Sequence, residues 1–97
     1  MGEILKIMNI EKQPSKYGGY FYYIYFKSEE TGKSYKTCVA ENYRNYKNWK
    51  SIIETFDRSK RTLIENVRIN NNLIDADSKP IVVKYERDNQ VNIFDLV

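Results

Sequence analysis

The sequence predicts a mainly β domain, an antiparallel sheet with one helix packed on it. Three observations point there. Tyr20-Phe21-Tyr22-Tyr23-Ile24-Tyr25-Phe26-Lys27 packs four of the nine tyrosines into one short run, and aromatic and β-branched residues in succession favour a strand. Two turn signals, at residues 29–33 and 70–72, join strand-like runs into hairpins. Only one segment changes to a helical period. Strands followed by a single helix and more strands suit a sheet covered on one side.

Taken in order, residues 4–10 are rich in Ile, Leu and Met and read as a first strand. Their alternation is imperfect, with Ile4, Met8 and Ile10 on one face and Leu5 and Ile7 on the other. A bulge, or burial on both faces, accounts for that. Residues 11–19 contain Pro14 and Gly18-Gly19 and read as a loop. Residues 20–28 form the second strand. Side chains alternate across a strand, so Tyr20, Tyr22, Ile24 and Phe26 share one face and Phe21, Tyr23, Tyr25 and Lys27 the other. A domain this small buries one such row. Ile24 and Phe26 nominate the even row as core, which leaves the odd row outward beside Lys27.

Residues 34–40 form the third strand, an antiparallel neighbour of the second. Tyr35, Thr37 and Val39 alternate there with Lys36, Cys38 and Ala40. Sequence leaves open which of the two rows joins the outward face; Cys38 is expected to be a small buried residue. In residues 45–56, Trp49, Ile52, Ile53 and Phe56 recur at the spacing of an amphipathic helix. Tyr46 extends the stripe backwards, Asn45 suits the cap, and Trp49 heads the stripe as a core residue. A basic loop at residues 57–61 follows. Residues 63–69 are a fourth strand, Asn70 to Asn72 a tight reversal, residues 73–76 a return, and residues 81–85 a further strand. Residues 91–97 end the chain as an added strand or a tail, beyond a single domain at residues 1–90.

Composition narrows the chemistry. The chain has 97 residues, 41% of them hydrophobic, which makes one domain with a modest core. There are 16 basic and 13 acidic residues, a net charge of +3. No apolar run approaches the length of a membrane span, and residues 1–4 lack the pattern of a signal peptide. With no His and one Cys, neither a structural zinc site nor a nucleophile activated by His can be assembled. No glycine-rich phosphate loop is present. Asp75 and Asp77 read as turn-capping groups, ahead of a cation pair. The expectation is a protein without catalytic residues, metal or cofactor. Its lone cysteine suits a reducing, cytoplasmic setting.

The element order, the helix at Asn48-Trp49 with its apolar stripe, and the turn Leu73-Ile74-Asp75-Ala76-Asp77-Ser78-Lys79-Pro80 before a strand together resemble the small OB-fold single-stranded DNA-binding proteins of phages and mobile elements. The resemblance covers roughly residues 4–85. It implies a five-stranded antiparallel Greek-key barrel with its helix between strands three and four. It also implies a role in DNA replication and a ligand across strands two and three, flanked by residues 11–19 and 70–79. No individual family residue is carried over.

Within those regions the expected nucleic-acid contacts are Lys12, Lys16 and Tyr17 in the first loop, Phe21, Tyr23, Tyr25 and Lys27 on strand two, and Tyr35 and Lys36 on strand three. Rings would stack on bases and lysines would hold phosphates. The same rings could instead pack across strands. The expected partner is single-stranded DNA, with RNA as the alternative nucleic acid. A different reading is a phage accessory or inhibitor protein using the aromatic face, or its C-terminal tail, against a protein. Self-association into a homo-oligomer is compatible with either.

Overall fold

The structure, a computed structural model, describes residues 3–87. It contains seven strands and one helix: β1 Leu5–Pro14, β2 Tyr20–Ser28, β3 Ser34–Ala40, α1 Tyr46–Thr55, β4 Lys60–Glu65, β5 Ile69–Asn70, β6 Leu73–Ile74 and β7 Ile81–Arg87. The strands form one sheet in the order β5-β6-β3-β2-β1-β4-β7. β4 and β5 lie far apart in that order yet are joined by residues 66–68 alone. The sheet therefore curls into a half-barrel. The mainly β class and the single helix agree with the sequence. The expected all-antiparallel set of five strands does not: seven strands are present, and β3 pairs with β6 in parallel. One of the two extra strands arises because Asn66 turns to a positive φ of 68° and splits what reads as one run into β4 and β5. The last strand expected at residues 91–97 lies outside the described residues.

The first strand runs on to Pro14, four residues into the segment read as a loop. Its extension has a partner: Glu11, Lys12 and Gln13 pair with Tyr23, Tyr22 and Phe21, so the backbone groups of residues 9–14 find a ladder along the full length of β2. Pro14 sits at the strand end, where a missing donor is tolerated. The register shifts between Ile7 and Asn9. Met8 is the extra residue and is 43% exposed. This bulge carries Leu5, Ile7 and Ile10 to the core side, although their numbering changes parity.

Turn chemistry fixes the hairpins. Gly32 takes a φ of +75°, and the Ser28 hydroxyl accepts the N–H groups of Glu30 and Thr31 at 3.2 Å each. Asn71 reverses β5 into β6 at a φ of +57°, a conformation that Asn tolerates better than most residues.

The core gathers Leu5, Ile7, Ile24, Phe26, Val39, Trp49 and Ile64, all essentially solvent-free. Trp49 packs its ring 6.0 Å from that of Phe26 and donates its indole N–H to the Ala76 carbonyl at 2.8 Å. Ile52 is buried beside it, and Tyr46, Ile53 and Phe56 pack against the cluster, as the stripe predicts. Asn45 does not cap the helix with its side chain; its amide reaches Asp77 Oδ1 at 3.3 Å instead. No helix among the described residues is long and apolar enough to cross a membrane.

Trp49→Ala is expected to cost about 3–5 kcal/mol of stability through the cavity it leaves. Trp49→Phe, which keeps a ring but strands the Ala76 carbonyl, is expected to cost less, about 1–3 kcal/mol. Urea unfolding of the two variants checks both the loss and its order.

Candidate functional site

The even row of β2 faces inward: Tyr22, Ile24, Phe26 and Ser28 are buried. Phe21, Tyr23 and Tyr25 lie on the other face, half-buried, and Lys27 is exposed at the end of the row. Pairing builds the rest of this face in cross-strand triplets. Phe21 stands between Gln13 and Ala40, Tyr23 between Glu11 and Cys38, Tyr25 between Asn9 and Lys36, and Lys27 between Lys6 and Ser34.

The rings are ordered by their neighbours. Phe21 and Tyr23 meet edge to face, 5.2 Å between centroids, a favoured geometry for aromatic pairs. The Tyr25 hydroxyl donates to Glu11 Oε1 at 2.9 Å. That hydrogen bond, and desolvation after it, raise the Tyr25 hydroxyl above its ordinary pKa. Glu11 thus places a carboxylate amid the rings.

Beside Tyr23 the face falls into an apolar groove of about 240 Å³, lined by Tyr23, Lys36, Thr37, Cys38, Leu73, Ile74 and Ala76. Leu73 is 52% exposed on its rim. Desolvation raises the pKa of the Cys38 thiol. The second, open cleft, about 860 Å³, is lined by Glu3 and residues 66–69 and 77–79. It shares no residue with the row or the groove, and it mixes charges of both signs.

The other expected contacts scatter. Tyr35 is buried in the core with its hydroxyl 3.5 Å from Glu3 Oε2, so it does not join the outward row. The parity of β3 places Lys36 there instead. Lys12 lies on β1 rather than in a loop, opposite Tyr22, and so on the other side of the sheet. Its ammonium sits 4.1 Å from the centre of the Tyr20 ring. Lys16 and Tyr17 belong to the turn after β1, with the Lys16 ammonium 5.4 Å from the Tyr17 ring. Tyr17 is 82% exposed.

Cys38 corrects the expectation of a buried thiol: it is exposed on the outward face. Lys36 and Cys38 share parity, so assigning one would have placed the other. Glu11 was hidden by the loop reading of residues 11–19, and Leu73 by the short β6.

Below the aromatic row, the Glu41 carboxylate accepts the Tyr22 hydroxyl at 3.0 Å and the Tyr20 N–H at 3.1 Å. Burial, with Glu41 second, drives the Tyr22 hydroxyl pKa up. At the flank of the groove, Arg68 Nε and the Asp77 N–H reach Asp75 at 3.0 and 2.9 Å. Asp75 closes a turn, and no cluster of three or more metal-ligating side chains occurs among the described residues.

Comparisons of the chain with protein-family models, curated proteins and solved structures find no match.

The Asp77 N–H, and then Arg68, hold the Asp75 carboxyl below the usual carboxylate range. A depressed folded-state pKa contributes stability that is present above the unfolded value near 3.9 and is lost as pH falls through the lower folded value. The melting temperature is therefore expected to drop as pH falls below about 4. Asp75→Asn should be less stable at neutral pH and show a shallower drop, read from thermal melts across that range.

Proposed function

We propose that this chain is a non-enzymatic module that binds single-stranded nucleic acid, DNA in the first place, with little sequence preference. The observation that carries the reading is one face holding Phe21, Tyr23 and Tyr25 in a row, an apolar groove beside Tyr23, and Lys27 and Lys36 at the border. Bases present apolar faces of any sequence, and such rows of rings accept them by stacking. Lysines at the border meet the phosphates.

The topology supports an OB-type barrel. Treating β4 and β5 as two halves of one strand bent at residues 66–68 reduces the curled sheet to five strands: β1, β2, β3, the bent strand and β6. The helix then lies between the third and fourth, and β7 is an addition on the far edge of β4. Ligands of that fold lie across strands two and three, which is where the row lies.

Glu11 supports a second reading, an extended protein segment as ligand, because a carboxylate amid the rings repels phosphate. Salt dependence separates the two. Phosphate neutralisation releases counterions and gives a steep dependence on salt; an aromatic protein interface does not.

Fluorescence anisotropy with oligo-dT at two salt concentrations is the direct test. Binding should weaken with salt, and Tyr23→Ala and Tyr25→Ala should each cost roughly 1–3 kcal/mol. Lys36→Ala should flatten the salt slope by about one charge, and Glu11→Gln should tighten binding. Unchanged affinity in both tyrosine variants would sink the stacking reading.

A further inference from the structure

The main chain of β3 has a directional pattern. Glu41 N–H donates to the Tyr20 carbonyl and Ser28 N–H to the Lys33 carbonyl. In an antiparallel ladder the bonded pairs alternate, so residues 35, 37 and 39 turn their main-chain groups toward β2. Lys36 and Cys38 turn theirs to the opposite edge. Lys36 N–H there meets the Asn72 carbonyl at 3.2 Å. The parallel pairing with β6 is confined to Lys36 and Leu73. Beyond that pair β6 ends at Ile74, and Asp75 and Ala76 turn away, with the Asp75 N–H on the Arg68 carbonyl and the Ala76 carbonyl on Trp49. No pair with β6 follows at Cys38, and Cys38 lines the groove between Tyr23 and Leu73.

We propose that this groove is a pocket for a single nucleobase: one base leaves the stack on the aromatic row, slides between the Tyr23 ring and Leu73, and meets the main-chain N–H and C=O of Cys38 with its polar edge. The proposal rests on the nucleic-acid reading above. The chemistry of the lining carries it. The walls are apolar and uncharged apart from Lys36, which lies within reach of the phosphate attached to such a base. A donor and an acceptor side by side on one strand edge match the adjacent donor and acceptor that every base offers, so the pocket takes a base without choosing which. Tyr23 is part of the groove's lining, and so is Cys38, whose thiol is exposed.

That thiol is a reporter that needs no substitution. In the full chain, the rate of Cys38 alkylation by N-ethylmaleimide is measured with and without saturating oligo-dT of about 15 nucleotides. Slowing by about tenfold or more is expected. A matching abasic oligonucleotide, with the same phosphates and no bases, should slow it far less. Leu73→Gln, a neutral change at a half-exposed position, should weaken oligo-dT binding by about tenfold and leave abasic binding within about twofold, with an unchanged circular dichroism spectrum.

Oligo-dT that binds the chain by anisotropy yet leaves both the alkylation rate and the Leu73→Gln affinity unchanged overturns the pocket while the aromatic row stands. An extended apolar peptide that protects Cys38 where bound oligo-dT does not makes the groove a peptide site, and also overturns it. Absence of any oligonucleotide binding at low salt overturns the binding reading and the pocket together.

Discussion

Trp49 holds together the parts that would otherwise separate. Its ring lies against Phe26 near the end of β2, and its indole N–H reaches the Ala76 carbonyl just past β6. The helix, the central hairpin and the end of the short β6 thus meet at one side chain. A two-residue strand joined to β3 by a single residue pair has little hold of its own. The 2.8 Å hydrogen bond from the fully buried indole fixes where the chain goes after it. Removing an acceptor's partner in such a place costs the desolvation of the carbonyl. The distance between β3 and residues 73–76, and so the width of the groove, follows from how the helix seats this residue.

The outward face is built by exclusion. Ile24 and Phe26 claim the inside, and the pleat then commits Phe21, Tyr23 and Tyr25 to the other side. Their half-burial comes from each other and from β1. Phe21 closes on Tyr23, and Glu11 ties down the hydroxyl of Tyr25. The rings are thereby held in one arrangement, which would lower the ordering cost of the proposed binding. Glu11 serves this order at the expense of charge, since the face also carries Lys27 and Lys36.

Much of this was legible in the residues. The hairpin of β2 and β3, the helix with its stripe, the Asn71 reversal and the inward direction of Ile24 and Phe26 all follow from period and turn chemistry, which are local. What was not legible is what pairing decides. Residues 11–14 read as the start of a loop, yet they become strand because β2 is long enough to pair with them. Tyr35 and Lys36 differ by one position, and only the register against β2 says which faces outward. Lys12 was expected beside the rings, and one step of parity sends it to the opposite side of the sheet. The groove was out of reach for the same reason, because it exists only where a two-residue strand stops.

The bulge at Met8 gives the first strand an unusual tolerance. On either side of it the residues keep opposite parity, so Ile7 and Ile10 both reach the core while Glu11 reaches the aromatic face. Substituting Met8 by another side chain leaves that phase intact, because its own side chain is partly in solvent. Losing the position leaves it intact too. Ile7 pairs with Phe26 and Asn9 with Tyr25, which are consecutive residues of β2. With Met8 gone the strand would simply alternate, Ile7 and Ile10 inward and Glu11 outward. Related chains could therefore carry or lack a residue at this point and still present the same two faces, so a one-residue gap between Ile7 and Asn9 would be no mark against kinship.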